Sequence, residues 1–137
     1  MEQFITGHIK QKNEGCGIAG VRLKACSSLL VKYGISFPPF YAGTINIKLL
    51  KLFPTPDYEK VIFISQSEID SVAPGYAEWW KFIPIKKIND VKIPGYIFRN
   101  RQHVHGDDGV ELITEDLRNH GFNLSPGQPI TLLLEKA

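Results

Sequence analysis

The sequence predicts a mainly β fold, a small closed β-barrel with one or two short helices plugging or flanking it. Three observations predict this. Seven short stretches show period-two alternation or β-branched and aromatic runs. Gly, Pro, Asn and Asp separate them at the spacings of an all-β domain. Helical periodicity is confined to two short segments. Strands this short, with few long connections, bury their apolar faces by closing into a barrel or by pairing sheets, so a parallel sheet of βαβ units is disfavoured.

Taken in order, residues 4–10 alternate weakly and residues 44–50 alternate better. Residues 61–65 form a β-branched and aromatic run of buried-strand length, and residues 79–88, 91–100, 109–114 and 130–135 supply the other four strands. Between the first two strands, residues 25–33 place Leu29, Leu30 and Tyr33 at helical spacing, with Ser27 or Ser28 as cap and Gly34 as stop. A second short helix fits residues 115–120, whose acidic first turn suits the positive end of the helix dipole and whose Gly121 stands where a left-handed cap belongs. Trp79 and Trp80 are adjacent in a strand and point to opposite sides, so at most one is core.

The 137 residues, 43% hydrophobic and 22% charged, describe one domain spanning the whole chain. Sixteen Lys and Arg against fourteen Asp and Glu leave a formal charge of +2, too small for the broad basic surface that non-specific nucleic-acid binding uses. The longest apolar runs, such as residues 61–64 and 130–134, fall far short of the roughly 20 residues of a membrane helix. The start of the chain lacks a basic segment followed by an apolar stretch, so a soluble protein of the reducing cytoplasm is expected. Cys16 and Cys26 make neither a disulfide framework nor a zinc site.

Three segments carry chemistry. In Gly43-Thr44-Ile45-Asn46-Ile47-Lys48-Leu49 the alternation sets Thr44, Asn46 and Lys48 on one strand face and Ile45, Ile47 and Leu49 on the other. The polar face either meets water or offers Thr44 and Asn46 as neutral oxygen ligands for a magnesium ion that travels with nucleotide phosphates. Gly15-Cys16-Gly17-Ile18-Ala19-Gly20 is a glycine pattern whose bare amides can approach phosphate, or else a plain connection. Because it runs into the strand-like Val21-Arg22-Leu23-Lys24, the dinucleotide-binding fingerprint is excluded. Arg99, Arg101, His103 and His105 share a face if their strand continues, with Asp107, Asp108 and Glu111 beyond. This cluster reads as a loose cupin-like metal site of His103, His105 and Glu111, as an anion- or sugar-facing group, or as a solvated hairpin rim.

The order of these pieces, continuing through Phe37-Pro38-Pro39-Phe40, Lys81-Phe82-Ile83-Pro84-Ile85, residues 95–101, His105, Glu111-Leu112-Ile113, Leu117-Arg118 and residues 123–130, resembles the archaeal-type CTP-dependent riboflavin kinases. The likeness covers nearly the whole chain, and its most specific element is the Gly-Thr-x-Asn strand. It implies a cradle-loop β-barrel that moves the terminal phosphoryl group of CTP to riboflavin, giving FMN with Mg2+. It further implies Thr44 and Asn46 as magnesium ligands, and Gly15, Cys16, Gly17, Ile18, Ala19 and Gly20 at the nucleotide phosphates. Glu115, Asp116, Leu117 and Arg118 would lie at the nucleotide's other end, and His103 and Glu111 would face the flavin. Glu111 would then orient or deprotonate the attacking hydroxyl. The chain differs from the family's usual pattern in its glycine loop, in His103 where a hydroxyl residue is commoner, and in Thr114-Glu115-Asp116 where a Ser/Ala-Pro segment is usual. A barrel that binds nucleotide or flavin without turnover is the rival of another class.

Overall fold

A computed structural model describes residues 2–10, 18–35, 45–50, 61–100, 109–115 and 117–135. Its strands are β1 (Glu2–Ile9), β2 (Ile45–Leu49), β3 (Ile62–Ile64), β4 (Trp80–Ile88), β5 (Gly95–Asn100), β6 (Gly109–Thr114) and β7 (Pro129–Glu135). Helices α1 (Ile18–Ala25), α2 (Ser27–Lys32) and α3 (Gln66–Val72) and a 3-10 helix, Leu117–His120, complete the described elements. All strand pairs are antiparallel, in the order β3-β4-β5-β6-β2-β1-β7, and β4 also pairs with β7. That last ladder closes six strands into a barrel, the fold class expected of the sequence, and leaves β3 as a flap on β4.

One edge of β4 serves two partners in turn. Its first half, Trp80 to Phe82, pairs with β3, and its second half, Ile85 to Ile88, pairs with β7. Pro84, which has no N–H to give, lies at the handover where one ladder has ended and the next has not begun. A register shift between Ile85 and Lys87 bends the strand there, as closing a small barrel requires.

The alternation of the strands divides the apolar residues between two cores. Ile5, Ile9, Ile45, Ile47, Leu49, Ile83, Ile85, Ile97, Val110, Leu112, Ile130, Leu132 and Leu134 fill the barrel, and Leu117 of the 3-10 helix packs among them as a plug. On the outer wall Trp80, Phe82, Phe98 and Ile113 lie beneath a helical layer contributing Leu23, Cys26, Leu29, Leu30 and Ile69. The rings of Trp80 and Phe98 meet edge to face at 5.9 Å, the arrangement their quadrupoles favour. Trp80 is fully buried and Trp79 half-buried, the division expected of adjacent strand residues.

Two local expectations are corrected. Residues 21–24 are not a strand but part of α1, so Ile18, Ala19 and Gly20 belong to its first turn and not to the glycine loop. Leu23, Cys26 and Leu30, spaced by three and four, form one buried stripe that runs through α1 into α2, and this stripe prevails over the strand-like composition. For the same reason neither Ser27 nor Ser28 caps α2. The N-cap position is Cys26, which makes no side-chain cap, and its amide already bonds the Arg22 carbonyl at 3.1 Å. Gly34 does end α2 with φ of 80°, while the Ile35 amide reaches back to the Leu30 carbonyl at 2.9 Å. Helix α3 lies outside the two segments where helix is expected. Its signal is the Ser65-x-x-Glu68 capping box, in which the Ser65 side chain accepts from the Glu68 amide and Glu68 accepts from the Ser65 amide.

Candidate functional site

Asn46 lies in the Thr-x-Asn strand, and β2 positions it by simple alternation. Ile45, Ile47 and Leu49 enter the barrel, so Asn46 and Lys48 stand on the outer wall, both half-buried. The antiparallel register sets Asn46 directly opposite Glu111 of β6, and Lys48 opposite Gly109. On the other side the Lys10 amide bonds the Asn46 carbonyl at 2.9 Å, and His8 pairs with Lys48. Glu111 is also half-buried and faces Phe98 of β5. Since Phe98 and Ile113 are buried under the helices, the Asn46–Glu111 pair lies where the helical layer gives way to a polar wall.

Asn46 Oδ1 is buried and has no hydrogen-bond partner, one of two such side-chain atoms among the described residues, the other being Asp70 Oδ1. Leaving a buried amide oxygen unpaired costs about 1–3 kcal/mol, so the atom is poised to accept a donor or a cation. A hard divalent ion that keeps most of its water and phosphate ligands asks for this kind of neutral oxygen. Asn46 therefore fits a magnesium ligand by the chemistry of its unpartnered amide oxygen, on a half-buried strand face. Its expected companion Thr44 lies outside the described residues, as do Gly15, Cys16, Gly17, His103, His105 and Asp116. The cupin-like set is thus represented by Glu111 alone. Among the described residues no three His, Cys, Asp or Glu side chains gather to hold a metal.

At the far segment, Leu117 is sealed in the barrel core, whereas Arg118 is exposed and Glu115 half-buried. Glu115 Oε1 meets His120 Nε2 at 3.3 Å across the 3-10 helix. Leu117 is 0% exposed, its main chain included. Gly121 follows with φ of 80°, the left-handed stop expected there.

Sequence reasoning missed two features of this region. Lys10 and His8 border the Asn46 row because β1 pairs with β2, a long-range fact that no local pattern carries. The second is a buried carboxylate, Glu78, only 2% exposed. It accepts from Trp80 Nε1 at 2.8 Å, pairs with Arg22 Nη1 at 3.0 Å and lies 3.5 Å from Asn100 Nδ2. Burial and then the nearby Glu78 charge push the Cys26 thiol above its ordinary value, so this cysteine is held as the neutral thiol.

No family model matches the chain, and no curated protein matches it. No helix is long and apolar enough to cross a membrane among the described residues.

Proposed function

We propose that the chain is a magnesium-dependent kinase that moves the terminal phosphoryl group of CTP to riboflavin, giving FMN. The observation that carries this reading is the cross-strand pair of Asn46 and Glu111 on the outer barrel wall, with one unpartnered amide oxygen beside a carboxylate. The motif order that resembles the CTP-dependent riboflavin kinases supports it independently. In this reading Asn46 and Thr44 hold Mg2+, which when bound offsets charge on the phosphate oxygens. Glu111 orients the ribityl hydroxyl and takes its proton as the new oxygen–phosphorus bond forms and the bond to CDP breaks. Lys10, Lys48 and His8 add cationic or donor groups to the same wall, where a nucleotide triphosphate brings negative charge. Little covalent chemistry falls to the protein, so positioning supplies most of the rate.

The test is an FMN assay with riboflavin, Mg2+ and each of the four nucleoside triphosphates, beside calorimetry of CTP and riboflavin binding. The reading predicts FMN with CTP. Heat of binding without FMN from any triphosphate would leave the non-catalytic barrel in its place.

A further inference from the structure

Glu78 sits in the segment between α3 and β4, outside every element that carries the proposed ligands. Yet its carboxylate touches three of the elements around it. Arg22 comes from α1, the helix that the glycine segment feeds, and Asn100 is the last residue of β5, from which the chain leaves toward Arg101 and His103. Trp80 comes from β4, whose ring is fully buried in the helical layer's core. The preceding Ala77 holds φ of 55°, a left-handed backbone that a residue with a Cβ adopts at a cost of about 1–2 kcal/mol. Such strain persists where surrounding contacts over-determine it, and here the contacts are those that turn the Glu78 carboxylate inward. The Arg22 guanidinium is also stacked on the Tyr76 ring at 4.6 Å, so the same short segment grips α1 twice.

We infer that Glu78 is a positioning residue that locks α1 and the end of β5 to one another, the two elements that adjoin residues 11–17 and 101–108 in the sequence. The inference rests on the proposed function in one respect, that these two segments carry the nucleotide and the flavin. A donor and an acceptor lose rate steeply when misplaced by an ångström, and a single carboxylate holds together the two elements that adjoin those segments. Arg22 is 25% exposed at its side chain while Glu78 is 2% exposed, so neutralising the glutamate leaves a cation that reaches water, whereas removing the arginine strands a buried charge. Glu78→Gln is therefore the informative variant, since the amide keeps the shape and can still accept from Trp80.

The experiment is amide hydrogen exchange of Glu78→Gln against the parent chain, with the double variant Arg22→Met/Glu78→Gln completing the comparison. Expected is roughly tenfold faster exchange or more in Ile18–Ala25 and in the β5 amides nearest Asn100, with the β1–β7 ladder unchanged. Uniform acceleration across all strands would reduce Glu78 to general stability and overturn the inference, as would acceleration confined to one of the two segments. In the FMN assay the same variant should raise KM for both CTP and riboflavin, a pattern that simple loss of folded protein does not produce. If the parent chain makes no FMN, the kinase reading fails while the exchange result still decides the role of Glu78.

Discussion

Asn46 and Glu111 face each other across the β2–β6 ladder on the outer wall of the barrel, and the amide oxygen of Asn46 has no partner there. A fold that keeps an unpaired buried oxygen gives up stability at that point, as ligand sites commonly do. Asn46→Leu, of similar size and without the orphaned group, should therefore raise the unfolding free energy by about 1 kcal/mol in urea denaturation. A clear loss of stability would mean that the amide is already satisfied by the protein.

The helical layer carries a pH-sensitive clasp. The Tyr33 hydroxyl donates to Glu68 Oε2, joining the end of α2 to α3. This bond first, and the bonds from Ser65 after it, hold the Glu68 carboxyl below its usual range, while the same bond first, then burial and the Glu68 charge, hold the Tyr33 phenol above its own. With the folded value lowered, the clasp contributes stability above the ordinary glutamate value of about 4.3 and loses it as pH falls through the lowered value. On the alkaline side the contribution disappears as pH rises through the raised tyrosine value. Tyr33→Phe should thus be less stable than the parent chain at pH 7, and the gap should close as pH is taken down toward 2. A gap independent of pH would show that the phenyl packing, and not the bond, is what Tyr33 contributes.

Gly95 opens β5 where two strands approach closely. A Cβ there would meet the Ile113 carbonyl oxygen at 2.6 Å and the Thr114 Cβ at 3.1 Å, and the first of these is backbone that cannot swing aside. Gly95→Ala should destabilise the barrel by about 1–3 kcal/mol, measured as a fall in denaturation midpoint with unchanged slope. Gly7 is hemmed in by the Lys48 carbonyl in the same way and should respond alike.

Much of the barrel was legible because strand alternation is local. Gly109–Thr114 matches its expected bounds, and the other strands lie within their expected stretches or extend them by a residue or two. The helical layer was less legible. The stripe through Leu23, Cys26 and Leu30 crosses a break between two short helices, so neither helix alone shows a full period. Helix α3 announces itself only through Ser65 and Glu68, a capping signal without a long apolar run behind it. At the site, the outward face of Asn46 followed from period two, whereas its pairing with Glu111 depends on the register of β2 against β6, which residues 65 positions apart in sequence do not declare. Glu78 could not be found from sequence at all, because a buried carboxylate is defined by the Arg22, Trp80 and Asn100 that fold around it.

The measurement that bears most directly on the central claim is FMN formation by Asn46→Ala beside the parent chain, with Mg2+ and CTP saturating and the folded fraction of each matched by circular dichroism. The account predicts turnover lower by about a hundredfold or more with the melting temperature nearly unchanged, because the side chain lies outside both cores. Equal turnover by the two proteins would contradict it.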